Sequence, residues 1–111
     1  MHQSKVAGTL GLCRRAGCLI QGFDAVRRTI GAGEAHLIVL ADDLSEKTAK
    51  EIRFFAEKAQ VPLLKIRDGM DEFAVRFGKR TGVFAVTDEQ LAKAVTKSAE
   101  ASEPSEGGNE I

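Results

Sequence analysis

Five consecutive apolar residues, LIVLA at Leu37–Ala41, constrain this chain more than any other feature. A run without a polar residue at alternate positions leaves neither face of a strand for water, so both faces need a cover. The segments on either side are of the kind that supply one. Phe23, Val26 and Ile30 recur at helical spacing before the run, closed by Gly31 and Gly33. After it, Ser45 is placed to cap a helix whose inward face holds Ala49, Ile52, Phe55 or Ala56, and Ala59.

The alternation continues in both directions. Val6, Thr9, Leu10 and Cys13 mark a first helix with Gly17 as its stop, and Leu19–Gln21 reads as a short strand. Val61–Ile66 reads as a strand with Pro62 near its start, where a missing N–H does least harm. Met70, Phe73 and Phe77 line a short helix, and Gly82–Val86 is the last strand. The pattern TDEQ at Thr87–Gln90 is a capping box opening a final helix with Leu91 and Val95 inward. This order predicts an α/β chain folded as a three-layer α/β/α sandwich around a small, mixed, roughly four-stranded sheet. From Ala99 the chain turns small and acidic, with Pro and paired Gly, so residues 1–98 are expected to form one domain and 99–111 a disordered tail.

With 111 residues there is room for one core. No apolar run approaches the roughly 20 residues of a membrane span, and the start lacks the pattern of a signal peptide, so a cytoplasmic setting is expected. Cys13 and Cys18, with His2 and His36 far off in sequence, read as reduced thiols and not as a metal site. The formal net charge is zero, but it is unevenly spread. Met1–Gly33 carries five basic residues (Lys5, Arg14, Arg15, Arg27, Arg28) against the single acid Asp24, while Glu100, Glu103, Glu106 and Glu110 load the end. The first third is a basic region on an otherwise balanced chain.

Two places can carry function. Asp42 and Asp43 follow a strand end, where ligands of open α/β sheets gather, and a carboxylate pair can hold Mg²⁺ with a phosphate. A receiver-like phosphotransfer domain is one reading of them. It needs a lysine and a hydroxyl at neighbouring strand ends, whereas Lys65 lies inside its strand. Placement ahead of the Ser45-capped helix, whose dipole favours negative charge, explains the pair equally well. There is no GxSxG, P-loop or HExxH, and GAGEAH precedes a strand instead of opening a helix. Neither an enzyme activity nor a cofactor is indicated.

The second place is the start of the Phe23 helix. Gly22 permits close approach of a ligand to the backbone, and the first N–H groups of a helix are free donors. Arg27 and Arg28 stand on its outer or flanking side, and Asp24 is placed to cap it. A second basic glycine loop, RFGKRTG at Arg76–Gly82, precedes the last strand, and the two loops can converge on one edge.

Taken together, LGLCRRAGCLIQGFDAVRRTIGAGEAHLIVLADDLSEKT, VPLLKI and FGKRTGVFAV followed by TDEQLAKAV resemble the kink-turn-binding ribosomal protein superfamily (the L-seven-Ae and L-thirty-e proteins), most closely its bacterial YlxQ-like branch. The resemblance runs from about Lys5 to Val95. It implies the same sandwich, no enzymatic activity, and binding of structured RNA, ribosomal RNA included, within a ribosome or other ribonucleoprotein. It assigns the RNA to the start of the second helix and the loop before the last strand, here Gly22, Phe23, Asp24, Arg27, Arg28, Gly78, Lys79, Arg80 and Thr81. The family helix opens Gly-x-Asn-Glu with a lysine three positions later. Here Gly22 is kept, Arg28 supplies the cation, and Asp24–Ala25 replace the pair that reads guanine edges. A family glutamate near the flipped-out nucleotide falls near Ser45. A protein-interaction module on the same fold, docking an acidic partner on the basic edge, is the alternative.

Overall fold

The computed structural model describes residues 4–102. The elements are α1 (Lys5–Arg15), β1 (Leu19–Gln21), α2 (Phe23–Gly31), β2 (Leu37–Leu40), α3 (Glu46–Lys58), β3 (Leu63–Lys65), α4 (Met70–Phe77), β4 (Val83–Val86) and α5 (Glu89–Ser102). The strands form one mixed sheet in the order β1-β4-β2-β3, with β4 antiparallel to both neighbours and β2 parallel to β3.

The predicted double cover of the central strands is present, because every residue of β2 and β4 is buried. Their alternating side chains feed two separate cores. Leu37, Val39, Phe84 and Val86 meet Val6, Leu10 and Cys13 of α1, Phe73 and Phe77 of α4, and Ala92, Val95 and Ala99 of α5. Ile38, Leu40, Val83 and Ala85 meet Val26 and Ile30 of α2 and Ile52 and Ala56 of α3. The first core is the aromatic one, with Phe73 edge-on to Phe84 at 4.7 Å between centroids and stacked on Phe77 at 5.7 Å.

The caps explain where the helices begin. Ser4 accepts the Ala7 N–H at 2.9 Å ahead of α1, and Ser45 accepts the Thr48 N–H at 3.2 Å ahead of α3. Ahead of α5, Asp88 Oδ2 accepts the Leu91 N–H at 2.9 Å, so Asp88 and not Thr87 caps that helix. The Thr87 hydroxyl instead donates to the Cys18 carbonyl at 3.4 Å. Three more expectations change. Ala59 is the exposed residue that ends α3, which leaves Ile52 and Ala56 as its buried face. The paired strand β3 is only Leu63–Lys65, and Pro62 contributes just its carbonyl, taking the Ile38 N–H at 2.9 Å. The boundary expected at residue 98 falls inside α5, because Ala99, 6% exposed, is one more core residue on that helix. The rest of the expected tail, residues 103–111, lies outside the described residues. Among the described residues, no helix is long and apolar enough to cross a membrane.

Candidate nucleic-acid interface

Antiparallel pairing puts the end of one strand beside the start of its neighbour, and here that joins the two loops singled out in the sequence. Gln21 is opposite Phe84. One residue further, the Gly22 N–H donates to the Val83 carbonyl at 2.9 Å. The chain leaving β1 therefore runs beside the chain entering β4. Gly22 turns it into α2 with φ 104° and ψ 149°, a conformation that side-chain-bearing residues hold only under strain. A Cβ at this position would stand 3.7 Å from Lys79 Nζ. The ammonium of the late loop thus lies against the start of α2.

That start has donors to present. The first helical bond runs from the Val26 N–H to the Gly22 carbonyl at 2.9 Å, leaving the Phe23, Asp24 and Ala25 N–H groups without an acceptor inside the helix. They point toward the positive end of the helix dipole, where anions are favoured. Asp24 is exposed and caps nothing: Gly22 occupies the cap position and no side chain bonds there. The reading of Asp24 as a cap fails because the residue already lies inside the first turn. Its carboxylate, acceptor-only, is left in the open beside those donors.

The late loop begins where α4 ends in Gly78, left-handed at φ 77°, whose N–H reaches the Ala74 carbonyl at 2.9 Å. Gly78, Lys79 and Arg80 are exposed. Arg80 Nε pairs with Asp71 Oδ1 at 2.8 Å, and that hydrogen bond and charge raise the guanidinium's pKa above its already high ordinary value. Both side chains are more than half exposed, so the pair is weak and can be exchanged for another anion. Thr81 is different: it is buried, and its hydroxyl accepts the Val83 N–H at 3.5 Å. It shapes the entry to β4 and does not present its side chain at the surface.

The two arginines of α2 part company. Arg27 lays its guanidinium over the Phe55 ring of α3, with Cζ 5.8 Å from the centroid. Arg28 is exposed in the last turn of α2. Of the residues singled out in the sequence, the structure brings Gly22 and Lys79 together most directly.

Of the two aspartates, Asp43 has a structural task for its side chain. Asp43 Oδ1 accepts the Met70 N–H at 2.9 Å, capping α4 from another part of the chain, and the Asp42 N–H donates to the Asp68 carbonyl at 2.9 Å. A carboxylate spent on a helix start is poorly placed to hold a metal-bound phosphate. Among the described residues, no group of three or more His, Cys, Asp and Glu side chains is placed to hold a metal ion.

Sequence reasoning missed Arg14. It donates from Nη2 to the Phe77 carbonyl at 3.5 Å and covers the Phe77 ring at 5.5 Å, bracing the end of α4 next to Gly78. Nothing local announces a contact 63 residues away along the chain.

A family model described as the ribosomal protein L7Ae/L30e/S12e/Gadd45 family matches residues 4–96. The large ribosomal subunit protein eL30 of Aeropyrum pernix is 27% identical over 89 residues, covering 78% of this chain and 89% of that protein. The RNA-binding protein YlxQ of Enterococcus faecium is 29% identical over 92 residues, covering 83% and 88%. Among solved structures, a protein with unknown function from Bacillus halodurans C superposes with a TM-score of 0.80 at 22% identity, covering 88% of this chain and 99% of that one. The Giardia lamblia 15.5kD RNA binding protein gives 0.64 at 16% identity, covering 89% and 82%. At these identities the two structures share the fold.

Proposed function

The chain belongs to the ribosomal protein L7Ae/L30e/S12e/Gadd45 family, and on that premise we propose that it is a non-enzymatic protein that binds structured RNA as part of a ribonucleoprotein in the cytoplasm. The RNA sits on the start of α2 and on the loop Gly78–Arg80. Phosphates and base edges take the N–H groups after Gly22, while Lys79, Arg80 and Arg28 neutralise the backbone. The observation that carries this reading is the approach of Lys79 Nζ to the Gly22 backbone, which puts a cation and free N–H donors in one small patch. Two relatives over most of the chain, a ribosomal protein and an RNA-binding protein, support the choice of RNA. Thr81 enters the site through its backbone and the loop shape it sets, and Arg27 only from its flank.

The test is a titration of a kink-turn RNA against a duplex of equal length at two salt concentrations. The parent should bind the kink-turn in a salt-dependent manner, and Arg28→Glu with Lys79→Glu should weaken it by about tenfold or more and flatten the salt slope. A double variant that binds as tightly as the parent places the RNA elsewhere.

A further inference from the structure

A second surface lies beside this one, on the outer side of α2 and α3. Phe23, Arg27, Lys50, Glu51, Phe54 and Phe55 line an open groove there. Phe54 is 58% exposed, which sets it apart from the buried rings of the aromatic core. Its ring is nonetheless held: Phe55 stands edge-on to it at 5.4 Å and 73°, and Lys58 Nζ lies 5.6 Å from its centroid. Phe55 in turn carries Arg27 at 5.8 Å. Among the described residues, Arg27, Lys50 and Lys58 make no ion pair, and Glu51 is the one acid lining the groove.

An exposed ring among cations that make no ion pair suits an unpaired nucleic-acid strand, since a base stacks on the ring and phosphates meet the cations. The groove also continues directly from the α2 start, because Phe23 both follows Gly22 and lines it. We propose that this groove is a second RNA subsite, which takes an unpaired strand running on from the structured part held at Gly22 and Lys79 and stacks a base on Phe54. The inference rests on the RNA-binding reading above and extends it from a folded element to the single strand that leaves it.

The probe is one kink-turn RNA, with and without an overhang of unpaired adenosines, one of them replaced by 2-aminopurine. The chain has neither Trp nor Tyr, so the reporter's fluorescence is read without interference. The overhang should tighten binding by about fivefold or more, the lower end of what one base–aromatic stack contributes. The 2-aminopurine should be quenched on binding. Phe54→Ala, at an exposed position that leaves the fold intact, should abolish both the gain and the quenching while the overhang-free RNA binds as before. Lys79→Glu should weaken both RNAs. If the two RNAs bind the parent equally, or Phe54→Ala changes nothing or weakens both alike, the subsite is refuted while the main reading stands. If neither RNA binds, both fall together.

Discussion

Replacing Gly22 by alanine isolates the backbone strain on which the site is built. The φ of 104° and ψ of 149° lie in a region open essentially to glycine alone. A Cβ there would meet only Lys79 Nζ at 3.7 Å, ordinary contact with the end of a flexible chain, so crowding adds little. The cost is therefore conformational, about 1–3 kcal/mol. For a domain of this size each kcal/mol lowers the melting temperature by roughly 4–8 °C, so Gly22→Ala should melt roughly 5–20 °C below the parent. Gly8→Ala supplies the contrast. Gly8 lies inside α1 at ordinary φ, with nothing within 4 Å of an added Cβ, so alanine should stabilise by about 0.5–1 kcal/mol. Urea unfolding of the three proteins gives the midpoints, and an unchanged m-value certifies that stability alone has moved. A Gly22→Ala variant no less stable than the parent would refute the strain and with it the reason for a glycine at this corner.

Other consequences can be checked on the same material. Asp68, 9% exposed, has its pKa raised by burial and then by the Glu72 charge, against the pull of a Ser4 hydrogen bond and Arg76. An acid raised in the folded state holds more protons there than when unfolded, so its contribution is whole below its unfolded pKa and is lost as pH rises through the folded one. Asp68→Asn should therefore gain on the parent as pH rises above the ordinary aspartate value of 3.8, and equal slopes of stability against pH would contradict this. Burial and the neighbouring Cys18 charge push the Cys13 thiol up to about 11, so native alkylation at neutral pH should modify Cys18 and spare Cys13 until the chain unfolds. Asp24, acceptor-only and exposed, cannot donate to guanine O6 or N7, and Ala25 has no polar group. The parent should thus prefer a kink-turn over a duplex only modestly. Asp24→Asn with Ala25→Glu should sharpen the preference by about 1–3 kcal/mol per restored hydrogen-bond pair, and equal discrimination by parent and variant would show that other groups read the RNA.

What the sequence discloses here is mostly what local periodicity can encode. Leu37–Ala41 demanded cover on both faces and received it, and the apolar spacings located all five helices. The misses come where two residues are equally competent. Thr87 and Asp88 can each cap a helix, and only the pull of the Cys18 carbonyl on Thr87 decides between them. Ala99 reads as the start of a polar tail, yet one further turn of α5 over α1 buries it, which composition does not report. At the site, Gly22 and the basic loop were legible as separate pieces. Their contact follows from β1–β4 pairing between distant segments, and so does the brace from Arg14 to Phe77. Arg27 lies four residues after Phe23 and three before Ile30 on α2, so it flanks the buried stripe on one side. Which side, and that Phe55 waits there, is decided by how α3 packs.

We propose that RNA is held by the start of α2 and the loop that follows α4. Amide chemical shifts of the isotopically labelled protein, followed while a kink-turn RNA is added at fixed salt, test it most directly. The largest changes are expected at Gly22, Phe23, Asp24, Ala25, Gly78, Lys79 and Arg80, with their loss in Arg28→Glu with Lys79→Glu. Changes centred instead on the exposed faces of α1 and α5, with these seven amides unmoved, would contradict it.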